Sequence, residues 1–427
     1  MNKTIINNEI LAEAAYQGCA KVFTEYAIEK GIDFIKGTCG LLLKHDDSLA
    51  YEEWRVVLGD LSATVYASSE KGMHNALAKI LEGLNVTDGK LYADFTVTSE
   101  TPDMPYRGLM VDLARQKHGV EYILRYIDLC YKHRATHLQL HFTDNESFTL
   151  PMKAFPLLST EGSTYTYEEI DLICSYAKAR GIKLVPEVDM PGHTRQFCGK
   201  YPELFGTLEI LPAEQKVFDA LKTIFEEVAA MFPDSEWIHI GGDEADVDKW
   251  VQCEKTQEYM KQHHITDVHE MYAEYISIVT DMIFELGKTP VVWEGFGKEY
   301  NDKISKDVIV ICWESYYQPA YDLAEAGFKL INCSWKPLYI VTGFKFWSPE
   351  EIMAWNPWKW DNWWEKSVAY PDGYTIDKNA TTVLGGQICV WGDYLRDYED
   401  LKQGLEEEFT LIEERLPALC KRLIKLD

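Results

Sequence analysis

The feature that most limits the possible folds is an alternation of two hydrophobic patterns from Pro105 to the end of the chain. Short apolar runs of strand type alternate with longer amphipathic stretches of helical type, which is typical of parallel sheets built from strand–helix units. The alternation occurs eight times and therefore predicts a closed (β/α)8 TIM barrel, a fold of about 250 residues or more. The predicted strands are Arg107–Leu113, His137–Phe142, Lys183–Val188, Trp237–Ile240, Pro290–Trp293, Val308–Trp313, Lys329–Ser334 and Val383–Trp391.

The stretches between these strands differ in length and in helical character. The unit after the fifth strand has a weak helical pattern, and the connection Lys336–Thr382 is far longer than usual. That connection holds six of the 13 tryptophans, which either pack against the barrel or form a wall beside a site. The clear predicted helices are Val120–Arg134, Tyr167–Ala179, Gln215–Phe232, His269–Leu286 and Tyr398–Leu423.

The first hundred residues have a different pattern and predict a small α+β domain before the barrel. The stretch Thr98–Pro105 contains two prolines and is the natural boundary. We therefore predict an accessory domain at residues 1–100 and a catalytic barrel at residues 101–427. The elements predicted in the accessory domain are helices at Glu9–Lys30 and His74–Leu84 and strands at Gly40–Leu43 and Ser62–Ala67.

An adjacent pair of acids, Asp243 and Glu244, follows the fourth predicted strand. Gly241 and Gly242 before them permit a sharp turn, so the two carboxylates leave the strand end in different directions. One could orient a substrate while the other transfers a proton. Taken alone, the pair could equally be two solvated acids at a capped strand end.

Other strand ends add to this pair, because reactive residues in such barrels gather at the carboxyl ends of the strands. Acids, histidines, an arginine and indoles at one mouth indicate a sugar site, where aromatic faces stack on pyranose rings and charged groups hold hydroxyls. Arg115 could instead simply pair with Asp112, and His193 could be a core residue. The strand-end candidates are Asp112, Arg115, His141, Asp144, Glu187, Asp189, His193, Trp293, Trp313, Trp391 and Asp393.

Charge and cysteine usage restrict the partners and the compartment. The net charge of −27 argues against nucleic acid or an anionic membrane as a partner, since both require a basic surface. The ten cysteines have neither CxxC spacing nor a dense secreted framework, so free thiols are favoured over disulfides or a zinc site. We therefore expect a cytoplasmic protein without a membrane segment.

Five ordered motifs give the chain a specific resemblance. Together they resemble glycoside hydrolase family 20, the β-N-acetylhexosaminidases, over the whole predicted barrel. The motifs are Arg107-Gly-Leu-Met-Val-Asp-Leu-Ala-Arg115, Leu140-His-Phe-Thr-Asp-Asn145, Pro186-Glu-Val-Asp-Met-Pro-Gly-His193, His239-Ile-Gly-Gly-Asp-Glu244 and Gly385-Gly-Gln-Ile-Cys-Val-Trp-Gly-Asp393.

The resemblance implies an exo-acting enzyme that removes terminal β-linked N-acetylglucosamine, and possibly N-acetylgalactosamine, from glycans or glycoconjugates. It further implies retention by substrate assistance, without a protein nucleophile, a metal or a cofactor. Glu244 would be the general acid, and Asp243 would hold the acetamido N–H and stabilise the oxazolinium ion. Tyr339 would donate a hydrogen bond to the acetamido oxygen as it attacks the anomeric carbon. A fixed amide oxygen with a nearby negative charge is also what the chemistry itself requires.

The resemblance also assigns binding roles to the remaining candidates. Arg115 would hold ring hydroxyls O3 and O4, and Asp144 with His193 would tune the proton affinity of the acid. The acetamido methyl would lie in an aromatic box of Trp293, Trp313 and Trp391.

Two departures from the family pattern concern the O4–O6 edge of the sugar. Val341 occupies a position where the family usually has Asp or Asn, and Asp393 replaces a glutamate. We therefore expect weaker recognition of that edge, unless the loop around Trp347 replaces the lost contacts.

Two other functions stay open at this point. In the first, a conventional retaining glycosidase would use Glu187 as its nucleophile. In the second, the protein would bind sugar without cleaving it, although Asp243, Glu244 and Tyr339 are all present. The natural glycan, the gluco or galacto preference and the oligomeric state cannot be read from the sequence.

Overall fold

The computed structural model describes residues 3–379 and 382–426. The ends of the two predicted domains, residues 1–2 and 427, lie outside the described residues. Residues 380–381 of the long predicted connection also lie outside them.

The N-terminal region, residues 3–100, contains a six-stranded and a three-stranded sheet with two helices. Its own hydrophobic core includes the buried Phe23, Leu41, Trp54 and Leu77. The strands are β1 (Lys3–Ile6), β2 (Glu9–Ala12), β3 (Ile35–Lys36), β4 (Leu41–His45), β5 (Trp54–Gly59), β6 (Ser62–Ala67), β7 (Asn85–Thr87), β8 (Lys90–Asp94) and β9 (Ser99–Glu100), and the helices are α1 (Gln17–Glu29) and α2 (Glu70–Gly83), with a 3-10 segment at Ala14–Tyr16.

The predicted helix Glu9–Lys30 is wrong in its first part. Residues Glu9–Ala12 form β2, which pairs in parallel with both β3 and β4. Pairing with two distant strands therefore overrides the local helical pattern, and α1 begins only at Gln17. The predicted strand Ser62–Ala67 is correct.

Eight parallel strands close into a barrel in chain order, which confirms the predicted (β/α)8 fold. Closure is completed by pairing between the first and the last strand, β10 and β20. The barrel strands are β10 (Tyr106–Asp112), β11 (His137–His141), β12 (Lys183–Glu187), β13 (Trp237–His239), β14 (Thr289–Trp293), β15 (Ile309–Cys312), β16 (Lys329–Asn332) and β20 (Val383–Trp391).

Helices surround the barrel, except after β14, where the connection contains a 3-10 segment at Lys298–Lys303, as the weak helical pattern suggested. The helices are α3 (Val120–Lys132), α4 (Tyr167–Ala179), α5 (Arg195–Lys200), α6 (Pro202–Phe205), α7 (Gln215–Met231), α8 (Val247–Trp250), α9 (Glu254–Gln262), α10 (Val268–Glu285), α11 (Ala320–Glu325), α12 (Trp335–Leu338), α13 (Pro349–Ala354) and α14 (Leu401–Ile424), with a further 3-10 segment at Leu395–Asp397.

The long connection between β16 and β20 carries three short strands, β17 (Tyr339–Val341), β18 (Lys359–Trp360) and β19 (Tyr374–Thr375). Strand β20 is nine residues long, and its two halves pair with different strands. Its first half pairs with β16, and its second half pairs with β17, so that Tyr339 lies opposite Cys389. The connection thereby adds a short strand to the mouth of the barrel.

All ten cysteines are unbridged, and most are buried. Among the described residues, no helix combines the length and the apolar character needed to cross a membrane.

Arg107 joins the barrel floor to the N-terminal region. Its fully buried guanidinium forms an ion pair with Glu52 and donates to the carbonyl oxygens of Arg134 (2.9 Å) and Met104 (2.6 Å). This position, at the amino end of β10 and away from the mouth, agrees with a structural role.

We predict that Arg107→Met lowers the free energy of unfolding by about 3–5 kcal/mol, because it leaves a largely buried carboxylate and two carbonyls unpaired. Urea unfolding measures the loss. The control is Arg55→Met, which breaks a 2.7 Å ion pair with Asp46 at the surface and is expected to cost at most about 1 kcal/mol. Equal losses in both variants would contradict a structural role for Arg107.

Candidate active site

A tight turn directly after β13 positions the two predicted acids. Gly241 and Gly242 have φ values of +76° and +101°, and Glu244 also lies in the left-handed region at +49°. A Cβ at Gly241 would lie 1.7 Å from Asp189 Oδ1. Glycine is therefore required there both for the backbone angle and for the close approach of the aspartate.

Contacts from β14 and α10 hold this turn in place. The backbone N–H of Trp293 donates to the carbonyl of Gly241 at 2.9 Å, and the Tyr272 hydroxyl donates to the carbonyl of Gly242. A Cβ at Gly295 would lie 1.9 Å from that second carbonyl. The turn is packed too closely to shift without moving its neighbours.

The turn borders a cavity of about 230 Å³ at the carboxyl ends of the barrel strands. Its lining includes most of the site residues predicted from the sequence. The predicted site residues among them are Arg115, Asp144, His193, Asp243, Glu244, Trp313, Tyr339, Trp391 and Asp393.

Of the residues to which the resemblance assigned a catalytic or binding role, Trp293 is absent from this lining. It is fully buried one layer below, with its ring centroid 6.1 Å from that of Trp391. The cavity is lined instead by Trp335, whose ring stacks on Tyr339 at 4.6 Å. Sequence reasoning missed Trp335, although its position just after the seventh strand could have identified it.

Glu187 belongs to a buried network beneath the cavity. Its carboxylate accepts hydrogen bonds from Gln139 Nε2 (2.8 Å) and Trp293 Nε1 (2.7 Å), and His141 Nδ1 lies 2.9 Å away. Burial alone would raise the pKa of Glu187, but His141 and His239 lower it to about 2. Its oxygens are therefore engaged and do not line the cavity.

Arg115 is surrounded by three carboxylates and one indole. Its nitrogens lie 3.0 Å from Asp112, 3.0 Å from Asp144 and 3.3 Å from Asp393, and its guanidinium carbon is 4.9 Å from the centre of the Trp391 ring. Arg115 thus pairs with Asp112 and also lines the cavity. Four contacts hold the guanidinium in one orientation.

A chain of hydrogen-bonding distances connects Asp144, His193 and Glu244. His193 Nδ1 lies 3.2 Å from Asp144, and its Nε2 lies 3.2 Å from Glu244. Burial alone would lower the pKa of His193, but Asp189, Asp144 and Glu244 raise it well above its ordinary value. The hydrogen bond from His193 lowers the pKa of Glu244.

Asp243 is almost completely buried, and its Oδ1 has no hydrogen-bond partner among the described residues. Burial, together with the nearby Glu244 and Glu187, raises the pKa of Asp243 to about 7. A buried acceptor without a donor is rare and costly, so this oxygen is suited to a donor brought by a ligand.

Tyr339 stands in an aromatic wall beside this acceptor. Its ring is sandwiched by Trp335 at 4.6 Å and Trp313 at 6.2 Å, both nearly parallel to it. The pairing of β17 with β20 places it at the mouth. The sequence offered no strand signal for β17, and the family resemblance alone pointed to this tyrosine.

Within the part of the chain that the structure describes, two groups of three side chains have donor atoms close enough to surround a metal ion. They are His141, Asp144 and Asp189, and Asp189, His193 and Asp243. Asp144 is already engaged by Arg115 and by both imidazoles. We assign no metal to either group.

Comparisons with known proteins agree on one family. Residues 104–405 match the family described as "Glycosyl hydrolase family 20, catalytic domain". The chain is 29% identical over 371 residues to the β-hexosaminidase subunit beta of Sus scrofa, which covers 80% of this chain and 66% of that protein. It is 27% identical over 415 residues to a β-hexosaminidase of Vibrio furnissii, covering 88% and 67%. The chain thus spans about two thirds of the length of these relatives.

Solved structures show the same fold over nearly the whole chain. A GH20 exo-β-N-acetylglucosaminidase from Vibrio harveyi in complex with N-acetylglucosamine has a TM-score of 0.78 and 21% identity, covering 99% of this chain and 75% of that one. A chitobiase from Flavobacterium johnsoniae has a TM-score of 0.79 and 23% identity, covering 99% and 67%. These similarities extend the shared fold to the N-terminal region.

We predict that Gly241→Ala damages the site through the clash with Asp189. The matched control is Gly162→Ala, where φ is +77° and no atom lies within 4 Å of the added methyl group. Both variants incur a left-handed backbone cost of about 1–2 kcal/mol, and the clash adds about 1–3 kcal/mol at Gly241 alone.

Displacement of the following Asp243 is also expected to lower hydrolysis of an aryl N-acetyl-β-glucosaminide by about a hundredfold in Gly241→Ala. Urea unfolding and steady-state kinetics measure the two effects. Equal stability and activity in the two variants would show that the close approach to Asp189 is unimportant.

Proposed function

The chain belongs to glycoside hydrolase family 20, and from this premise we propose that it is an exo-acting β-N-acetylhexosaminidase. It would hydrolyse terminal β-linked N-acetylglucosamine, with N-acetylgalactosamine as a second candidate sugar, with retention through an oxazolinium intermediate. Its substrate would be a glycan or glycoconjugate ending in such a sugar.

The observation that carries this proposal is the unpartnered Oδ1 of Asp243 next to Tyr339. A 2-acetamido group offers one N–H donor and one carbonyl acceptor, and its methyl group is apolar. The N–H would satisfy Asp243, the carbonyl would accept from the Tyr339 hydroxyl, and the methyl would pack among Trp313, Trp335 and Trp391. Such fixation turns a weak amide nucleophile into an effective one.

The reaction then follows from the positions of the acids. The acetamido oxygen forms a bond to the anomeric carbon while the bond from that carbon to the leaving oxygen breaks. The leaving oxygen takes a proton from Glu244. Asp243 balances the positive charge that develops on the cyclised amide. Water then attacks the anomeric carbon while the bond from that carbon to the acetamido oxygen breaks. The water gives a proton to Glu244, and the sugar leaves with its original configuration.

His193 and Asp144 would act by tuning Glu244. The hydrogen bond from His193 favours the charged form of Glu244, and Asp144 acts on it indirectly by holding the other ring nitrogen of His193. A bound sugar excludes water and raises the cost of that charge, so the proton can be held until it is transferred. Arg115 would hold the hydroxyls at the far end of the ring.

The first alternative, Glu187 as nucleophile, is disfavoured because its carboxylate oxygens are engaged by Gln139 and Trp293 below the cavity. The second, a silent sugar-binding protein, would not need the chain from Asp144 to Glu244. We also propose a cytoplasmic location from the ten unbridged cysteines. The net charge of −27 supports a neutral glycan over nucleic acid or an anionic membrane as partner.

We predict that Glu244→Gln lowers turnover of a substrate with a poor leaving group by roughly 10²–10⁴-fold, because the amide cannot donate the proton. An activated aryl glycoside should lose much less. The control is Glu203→Gln, an exposed glutamate on α6 away from the cavity, which should retain full rates. Equal losses on good and poor leaving groups would remove Glu244 from the acid role.

The acetamide mechanism has its own test. A thiazoline mimic of the cyclised intermediate is expected to inhibit at least a hundredfold more tightly than free N-acetylglucosamine, as intermediate mimics do. Aryl β-glucosides should be nearly inert because they lack the nucleophile. Efficient glucoside hydrolysis, or a glycosyl ester trapped on Glu187, would overturn the mechanism.

A further inference from the structure

The side chains that line the cavity are exposed to solvent on two opposite sides of the barrel mouth, which we call the first and the second opening. Most of its lining is buried, but Glu244 and Asp393 keep 49% and 43% of their side chains exposed, and Phe344 and Tyr394 are 52% and 39% exposed. Glu244 follows β13, whereas Asp393 and Tyr394 follow β20 and Phe344 follows β17. Strands β13 and β20 are four positions apart in an eight-stranded barrel and therefore face each other across the mouth.

The first opening serves the leaving group, because Glu244 must reach the glycosidic oxygen. Atoms C1 and C4 lie at opposite ends of a pyranose ring, and C6 is attached next to C4. A sugar with C1 at Glu244 and its acetamide at Asp243 therefore directs its C4–C6 edge toward the second opening. An enzyme that accepts only an unsubstituted terminal sugar needs no space beyond the C4–C6 edge, so an opening on that side indicates room for a substituent.

The second opening has an aromatic rim, with one cation, Lys345, 5.4 Å from the centre of the Trp363 ring. Phe344 and Tyr394 stack at 5.2 Å with an angle of 23°, and Trp363, 39% exposed, lies 6.3 Å from Phe344. Val341 forms the wall below them. Exposed flat rings suit the C–H faces of another pyranose.

The charges in the cavity lining itself argue against an anionic substituent at C6. Asp393 is the carboxylate at the opening, and Arg115 beside it is already shared among Asp393, Asp112 and Asp144. A sulfate, phosphate or sialic acid at C6 would meet Asp393 without a free cation opposite it in the cavity lining.

We propose that the second opening is a subsite for a neutral pyranose attached at O4 or O6 of the N-acetylhexosamine. This inference rests on the proposed function and extends it. On such substrates the same C1–oxygen bond breaks, one water is consumed, and an intact disaccharide leaves in place of a single N-acetylhexosamine.

The wild-type protein can be tested with four aryl β-glycosides of equal leaving group. They carry N-acetylglucosamine, its 4-O-galactosyl and 6-O-galactosyl derivatives, and its 6-sulfate. The expected result is that at least one galactosylated substrate has a kcat/KM within a hundredfold of the unsubstituted one and releases the intact disaccharide. The sulfated substrate should be slower than that one.

The outcomes separate this inference from the proposed function. If the unsubstituted glycoside is not cleaved, the proposed function fails. If it is cleaved while both galactosylated substrates are more than a hundredfold slower, the subsite alone is wrong. A sulfated substrate faster than both would assign the opening to anions and also overturn the inference. The two galactosyl positions distinguish O4 from O6.

Variants of the rim test which side chains hold the second sugar. Phe344→Ala, and independently Tyr394→Ala, should lower the ratio of kcat/KM for the better galactosylated substrate to that for the unsubstituted one by about three- to tenfold, the value of one aromatic stacking contact. The matched control is Phe346→Ala, 43% exposed on the same connection but packed against Arg415 at 4.8 Å. An unchanged ratio in both rim variants would contradict the aromatic subsite.

Discussion

The pairing of β20 with three other strands is the constraint on which the site depends. Its residues Gly385–Val390 pair with Tyr106–Val111 of β10 and close the barrel, while its two halves join β16 and β17. A Cβ at Gly385 would lie 1.9 Å from the Tyr106 carbonyl, so glycine permits this close approach. Closure brings Arg115, Trp391 and Tyr339 to one mouth, although they are far apart in the chain.

The mouth concentrates charge that a stable protein would ordinarily avoid. Burial raises the pKa of Asp189 and Asp243, whereas His141, His239 and Gln139 lower the pKa of the buried Glu187. Perturbed groups of this kind gather at functional sites. The free-energy cost of burying these groups is offset by hydrogen bonds from the layer beneath the cavity. Glu187, for example, accepts hydrogen bonds from Gln139 and Trp293. The buried hydrogen bonds beneath the cavity thus hold the charged side chains of the site in place.

The sequence predicted the barrel well because each strand–helix unit is encoded locally. The last strand, Val383–Trp391, was predicted with its observed bounds. Elements that depend on distant pairing were harder to predict: Glu9–Ala12 forms a strand because two neighbours pair with it, and β17 exists because β20 is long enough to accept it. Side-chain depth was also inaccessible, since a strand-end tryptophan can line the cavity, as Trp313 does, or lie below it, as Trp293 does.

The side chains of the site stand on two kinds of structure, a closely packed turn and a long surface connection. Asp243 and Glu244 stand on a glycine turn wedged between barrel strands, whereas the exposed Phe344 and Trp363 lie on the long connection between β16 and β20, beyond the buried Tyr339. Substitutions, insertions and deletions are tolerated better in a surface connection than in a packed turn. Change in the connection can therefore alter which glycan is held while proton transfer is left intact. In evolutionary terms, the specificity of this protein can diversify without first losing its chemistry.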